Sequence, residues 1–303
     1  MIEFQKLELS RKAEYDRLLR SGAERGCEYS FVNLYLWGRQ KAAFVDGYLV
    51  LFSHFHGKSV YPFPVGSGDV KPVLDAIIDD ARQRGIPCRL TSLTPQDQQT
   101  LERYYPGRFH FHSDRSGFDY VYAIDDLADM KGRKFQKKRN HVNRFRENNP
   151  DWAVRPLTVE NIPQAAEMAA QWFASRDGQD GHMDYRLEKL AIARAFAHYG
   201  QLELDGLMLT AGDRVLGVTM GSRLSADTFD IHFEKAAEDV DGAYPAIAQA
   251  FAAYLREKYP DVRFLNREDD MGLEGLRKSK LSYNPVKLIE KSGANLMEEE
   301  DAL

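Results

Sequence analysis

The chain has 303 residues, 43% hydrophobic and 29% charged, with a formal net charge of -5, which is ordinary for a globular protein and long enough for about two domains. No apolar run approaches the roughly 20 residues a membrane helix needs, and the start MIEFQKLELSRK lacks the apolar core of a signal peptide. The two cysteines, Cys27 and Cys88, have no CxxC spacing and no nearby His, so both read as core thiols in a reducing, cytoplasmic setting.

In the first half the pattern is mixed α and β. A helix is expected around Arg11–Arg20, followed by the aromatic segment YSFVNLYLW (Tyr29–Trp37). KAAFVDGYLVLFS reads as two strands turning at Asp46-Gly47. Asp69–Arg84 has helical periodicity, with Val70, Val73, Ile77 and Ala81 on one face. Pro87–Ser92 is a strand, and Pro95–Tyr104 a helix capped by Thr94. Phe118–Ile124 is a further strand leading into KGRKFQKKRNHVNRFR (Lys131–Arg146), which holds eight Lys or Arg and no acid. As a helix this segment shows a narrow apolar stripe of Phe135, Val142 and Phe145, with Arg133, Lys137, Asn140 and Arg144 opposite. A basic block in an acidic chain predicts that an anion is gripped there. By this reading Arg133, Lys137 and Arg144 meet the anion. Arg139 and Arg146 tie the two domains together through buried acids, and Lys138, within the stripe, serves either role.

The second half repeats the order. VRPLTVENIPQAAEMAAQWFASR reads as a strand, then a helix capped at Thr158, and Asp184–His198 as another helix. LDGLMLTAGDRVLGVTMGSRL is a hairpin turning at Gly212-Asp213, and Thr228–Ala236 is a strand. The loop Glu238–Pro245 precedes a helix over Ala246–Lys258. DVRFLNRE is a strand, Leu273–Leu281 a short helix, and Asn284–Ser292 a last strand. The order helix, hairpin, strand, loop, helix, strand, closing strand is that of a GNAT-type acyltransferase domain. The expected fold is therefore α+β: two tandem GNAT-like domains, each a mixed central sheet flanked by helices. The expected boundaries are 1–128, a basic linker helix over 129–150, a second domain over 151–293, and a disordered acidic tail over 294–303.

Three segments, YSFVNLYLW, KGRKFQKKRNHVNRF and NREDDMGLEGLRKSKLSYNPVKLIEK (Asn266–Lys291), make the chain resemble the phosphatidylglycerol lysyltransferase C-terminal domain family, related to the Fem peptidyltransferases. The resemblance spans nearly the whole chain. It implies two GNAT-like domains and transfer of an aminoacyl group from tRNA to an amine or hydroxyl acceptor. The lipid-modifying members carry a membrane-spanning half, and the soluble ones resemble this chain most. It also implies that the basic residue of the short helix, Lys280 here, stabilises the oxyanion near the ester carbonyl. Glu268 or Asp269 would orient the acceptor amine.

On the strand Thr228–Ala236, alternation places Asp230, His232 and Glu234 on one face, where a carboxylate or imidazole could take the proton of an attacking amine. The candidate catalytic residues are thus Asp230, His232, Glu234, Glu268, Asp269 and Lys280. Arg133, Lys137, Lys138, Arg144, Arg277 and Tyr283 are the candidates for gripping the donor's phosphates. The loop EDVDGAYPAI is acidic with one glycine, unlike the Gly-rich loop that cradles the pyrophosphate of coenzyme A. Each HFH pair, His54 with His56 and His110 with His112, reads as polar strand positions, and no metal site or tightly bound cofactor is expected. Three functions compete: an aminoacyltransferase using aminoacyl-tRNA and a small-molecule or peptide acceptor, an N-acyltransferase using acyl-CoA as cosubstrate, and a non-catalytic RNA- or anion-binding module.

Overall fold

The structure, a computed structural model, describes residues 1–20, 25–55, 57–176 and 185–297. His56, Asp184 and residues 298–303 lie outside them. The chain divides into two compact units: Met1–Phe118 with Ile289–Leu303, and Asp119–Leu288.

In the first unit a mixed sheet runs in the order Gln5–Lys6, Gln40–Val45, Tyr48–Phe55, Lys58–Pro62, Arg89–Leu93, Ser292–Leu296 and Phe109–Ser113, with Val65–Gly66 beside Tyr48–Phe55. The hairpin turns at Asp46 and Gly47, whose φ values of 46° and 80° match the twist of the flanking strands. The helix Lys71–Arg84 buries Val73, Leu74, Ile77 and Ala81 against Tyr61 and Leu90 of the sheet. Thr94 and Asp97 form a reciprocal cap on the helix Pro95–Tyr104. Lys58–Pro62 and Arg89–Leu93 are parallel and pair only at Tyr61–Leu90 and Pro62–Thr91. Just beyond, the Tyr29 hydroxyl donates to the Phe63 carbonyl at 3.0 Å.

The second unit has a seven-stranded sheet in the order Lys287–Ile289, Asp119–Ala123, Phe264–Asn266, Thr228–Ala236, Arg214–Arg223, Asp205–Ala211 and Trp152–Pro156. The long helix Ala243–Lys258 covers one face through Ile247, Phe251 and Leu255, together with the helix Ile124–Asp129 and the basic segment. The helix Ile162–Arg176, which packs on the Arg214–Arg223 strand, and the helix Arg186–Ala197 complete the unit. No helix among the described residues is long and apolar enough to cross a membrane.

Several sequence expectations change. The two units meet at 118/119, because the strand Asp119–Ala123 pairs with Phe264–Asn266 in the second sheet. The basic segment is a short 3-10 turn (Arg133–Phe135) followed by the helix Gln136–Asn148. It belongs to the second unit, where Phe135, Val142 and Phe145 are buried in the core, so it is not a linker. The last strand is two strands. Lys287–Ile289 closes the second sheet, and Ser292–Leu296 runs between Arg89–Leu93 and Phe109–Ser113 in the first. Residues 294–296 of the expected tail are therefore sheet, because Ala294 is an apolar position with a core to enter. The helix expected after Thr158 begins at Ile162, since Asn161 turns back to accept from the Thr158 N–H at 2.8 Å.

Candidate functional site

The site forms where two parallel strands of the second unit separate. Thr228–Ala236 pairs with Phe264–Asn266 only at residues 228 to 230. After Asn266 the chain turns toward the Asp119–Ala123 strand. The Arg267 N–H donates to the Tyr120 carbonyl at 3.0 Å, and the Tyr120 N–H to the Glu268 carbonyl at 3.1 Å. A notch opens, with His232 on one side and Glu268 on the other.

Asn266 shapes the Glu268 side. Its side-chain oxygen accepts from the Glu268 N–H at 2.7 Å, and its amide donates to Asp119 at 2.9 Å. Glu268 sits at φ 55°, in the left-handed region that non-glycine residues seldom adopt. Its carboxylate reaches His232 Nδ1 at 3.4 Å, and Asp230 approaches the same nitrogen at 3.5 Å. On the other side of the ring, Nε2 is 2.8 Å from the Ser222 hydroxyl. Asp230, His232 and Ser222 are buried, and the Glu268 side chain is one-fifth exposed. Of these four groups Glu268 is thus the one that reaches solvent. Asp230, His232 and Glu268 also offer donor atoms within 4.8 Å of one another, a spacing that one cation could span.

Glu234 does not share this face. The pairing of Arg214–Arg223 with Thr228–Ala236 slips by one residue between Met220 and Gly221. Phe229 and Ile231 join Phe251 in the core, yet two steps further the odd position 235 points to Glu188 and Trp172, and even Ala236 packs with Ile247. The bulge reverses the alternation. Glu234 consequently pairs with the Arg267 guanidinium at 2.6 Å. Gly221 permits the slip, because a Cβ there would lie 2.0 Å from the Asp230 carbonyl oxygen.

The segment Asn266–Tyr283 is a braced loop and helix. Asp270 is buried and accepts two hydrogen bonds from Arg277, at 2.7 and 2.9 Å, one from the Tyr120 hydroxyl at 2.5 Å and one from the Gly272 N–H. The Arg277 fork holds this carboxyl well below the usual carboxylate range. Arg277 is thus committed to Asp270 rather than to a ligand. The Lys280 ammonium donates to the Arg267 carbonyl at 2.5 Å and to the Asp269 carbonyl, and burial pushes its pKa down. Two of its three N–H groups therefore hold the Glu268 turn in place. The Asp269 carboxylate accepts from the Met271 N–H at 3.1 Å and belongs to the same turn.

The basic segment divides differently from the sequence reading. Arg144 donates to Asp241 at 2.8 Å, with His141 3.1 Å from the same carboxylate. Arg139 donates to the Met130 and Gly132 carbonyls, and Arg146 to Gln249 while lying over Trp152. Among the described residues neither is bound to a buried acid. Lys131 and Lys134 pair with Asp129 and Asp126. Arg133 and Lys137 are exposed and, among the described residues, form no ion pair. Lys138 is half-buried, its ammonium 3.8 Å from the centroid of the buried Tyr283 ring.

The helix Ala243–Lys258 begins at Gly242, pressed against the basic helix. A Cβ on Gly242 would lie 2.3 Å from the His141 carbonyl oxygen and 2.9 Å from Phe145 Cβ, and its φ of 83° favours glycine. Pro245 removes one amide donor from the first turn. The N-terminus that would cradle a pyrophosphate is thereby covered by the protein's own chain. Gly242→Ala should lower the stability of the chain by about 2–4 kcal/mol, from left-handed strain plus overlap with backbone. Urea unfolding of the two proteins measures this, and an unchanged midpoint would contradict the close packing.

His110 and His112 are exposed on the Phe109–Ser113 strand, and His54 Nδ1 lies 3.1 Å from the Ser59 hydroxyl. Arg267 and Ser222 were missed by sequence reasoning. Arg267 stood in plain view between Asn266 and Glu268, whereas nothing in the sequence reveals that Ser222 faces His232 across a bulge.

A protein of unknown function from Bacteroides thetaiotaomicron superposes with a TM-score of 0.92 at 35% identity, covering 98% of this chain and 100% of that one. The L-PGS of Bacillus licheniformis gives 0.69 at 13% identity (96% and 93% covered), and FemX gives 0.60 at 12% identity (98% of each). An uncharacterised protein of Mycoplasmoides gallisepticum is 24% identical over 180 residues, so the match spans about half of that relative: 58% of this chain and 55% of that one. The fold is the mixed α/β one of the Fem and lysyltransferase proteins. The sequence profile of the family described as phosphatidylglycerol lysyltransferase, C-terminal, matches residues 19–295, and the chain belongs to that family of acyltransferase-type domains.

Proposed function

We propose that the second unit moves an aminoacyl group from an activated ester, aminoacyl-tRNA, onto the amine or hydroxyl of a small-molecule or peptide acceptor. The observation that carries this reading is the Ser222–His232–Glu268 line at the strand notch, where a proton acceptor reaches solvent and is backed by a buried imidazole. The acceptor nitrogen attacks the ester carbonyl as its proton passes to Glu268 and His232. The leaving ribose hydroxyl takes a proton back as the tetrahedral intermediate collapses. The third N–H of Lys280 is available to the developing oxyanion. An aminoacyl ester is already activated, so positioning and proton transfer suffice without a covalent intermediate. Family membership supports transfer chemistry, and the covered start of the helix Ala243–Lys258 favours an ester donor over coenzyme A.

The test is transfer of a labelled aminoacyl group from aminoacyl-tRNA to small amines and peptides, run beside thiol release from acyl-CoA. Turnover with acyl-CoA alone would replace this reading by the coenzyme A one. Binding of tRNA without transfer would leave a binding module. With Arg133, Lys137 and Lys138 as the cations of the basic segment that form no ion pair among the described residues, the log–log slope of tRNA affinity against salt should be about -2 to -3. Fluorescence titrations between low and moderate salt measure it. A flat response would count against phosphate contacts.

A further inference from the structure

His232 is the extra residue of the bulge: Met220 stands opposite Phe233 and Gly221 opposite Ile231, so His232 has no opposite number on the neighbouring strand. Its Nε2 lies 2.8 Å from the Ser222 hydroxyl, which leaves Nδ1 facing Asp230 at 3.5 Å and Glu268 at 3.4 Å. A nitrogen lone pair and two anionic oxygens repel one another unless a positive species lies between them. A proton on Nδ1 would draw one carboxylate in to about 2.7–2.9 Å, the length of a charge-assisted hydrogen bond. Both separations are longer than that, and they are nearly equal. They match the ligand-to-ligand edges of a tetrahedral zinc centre, about 3.3–3.4 Å for metal–ligand bonds of about 2.0–2.1 Å.

We propose that Asp230, His232 and Glu268 bind one divalent transition-metal ion of the zinc class, and that the bound ion shuts the site. Three protein donors leave a fourth position. It falls on the Glu268 side, where the side chain is one-fifth exposed and water can complete the tetrahedron. With metal on Nδ1, Nε2 carries the ring proton and donates it to Ser222, the kind of outer contact that fixes a ligating imidazole. Asn266 holds the backbone of the third ligand by accepting from the Glu268 N–H. The charge agrees. Around the notch the carboxylates of Asp119, Asp230 and Glu268 face one ammonium, Lys280, because Arg267 is balanced by Glu234. A divalent ion cancels the excess. Mg²⁺ and Ca²⁺ prefer six or more oxygen ligands, whereas one imidazole nitrogen with two carboxylates in fourfold geometry suits the zinc class. The blocking role rests on the transferase reading: an ion on Nδ1 and Glu268 takes the lone pairs that would receive the acceptor's proton. The binding site itself does not rest on it.

The experiment strips the full chain with a chelator, then titrates it with Zn²⁺ against a chromophoric chelator and with Co²⁺ by visible absorption. One equivalent of Zn²⁺ should bind with a dissociation constant of about 1 µM or below, and Co²⁺ should give the intense visible bands of a four-coordinate ion. Excess Mg²⁺ should not compete. Asp230→Asn and Glu268→Gln should each weaken Zn²⁺ binding about tenfold or more. His110→Ala, which breaks the exposed His110 and His112 pair, should leave it unchanged. Thermal melts without metal establish that each variant folds, and if Asp230→Asn does not, Glu268→Gln at the solvent edge carries the comparison. No stoichiometric Zn²⁺ binding, equal binding by the folded variants, or loss of binding in His110→Ala would overturn the site. In the transfer assay saturating Zn²⁺ should slow the reaction about a hundredfold or more, and chelator should restore it. Unchanged or faster transfer with Zn²⁺ bound would overturn the blocking role. A chain that binds Zn²⁺ through these three residues but transfers no aminoacyl group in chelator would uphold the metal site and count against the transferase reading.

Discussion

Glu268→Gln and His232→Ala are each expected to lower the rate of transfer from a saturating aminoacyl ester by about 10²–10⁴, the usual contribution of a positioned general base. Glutamine keeps the size and hydrogen-bonding reach of Glu268 but cannot take the proton. Alanine at 232 removes the imidazole that contacts both carboxylates and Ser222. The two groups act on one proton, so the double variant should be little slower than the slower single one. Donor affinity should change little in either, since neither residue lies on the basic helix proposed to meet the donor's phosphates. Single-turnover rates together with donor dissociation constants provide the measurement. A Glu268→Gln protein transferring at the wild-type rate would remove the carboxylate from the mechanism.

The largest stability effect is expected at Asp270. Replacement by Ala strips the acceptor from the buried Tyr120 hydroxyl and the Gly272 N–H, and leaves the Arg277 fork without its carboxylate. The cost should be about 3–4 kcal/mol, dominated by the two neutral donors, because Arg277 is one-third exposed and can rehydrate. For a unit of this size that is a fall in Tm of roughly 6–15 °C. The pH dependence has a defined sign. The folded pKa of Asp270 is lowered, so its contribution is fully present above the unfolded carboxyl value near about 4 and lost progressively as pH falls below it. The stability gap between wild type and Asp270→Ala should therefore narrow toward low pH without closing, because a protonated Asp270 still accepts from the Tyr120 hydroxyl and the Gly272 N–H. Thermal melts from pH 2 to 7 measure both effects, and a constant gap across that range would show that the carboxylate charge is not what is lost.

Much of the element order was legible because the relevant forces are local. Asp46-Gly47 forms its hairpin turn, Thr94 caps its helix with Asp97, and the 3.6-residue spacing of Val73, Ile77 and Ala81 gives a buried face. The apolar stripe of the basic helix was visible for the same reason, and Phe135, Val142 and Phe145 are buried as that spacing implies. The site was legible as a set of residues but not as a set of roles. Strict alternation put Glu234 beside His232, and a single bulge sent it to Arg267 instead. Arg144 looked available, but Asp241, nearly a hundred residues away in sequence, takes it. Lys280 is held by two backbone carbonyls whose position depends on the left-handed turn at Glu268.

By itself, the sequence determined the succession of helices and strands, the family, and the concentration of charge at Lys131–Arg146, since propensity, periodicity and composition act within a few residues. Only the tertiary structure decided that the basic helix is core-packed, that the chain's last strand returns to the first sheet, and which charges are already spent. Those outcomes depend on register and on partners distant in the chain. A buried charge must find its counterion or hydrogen bonds wherever the fold brings them, as Asp270 does at Arg277 and Arg267 at Glu234.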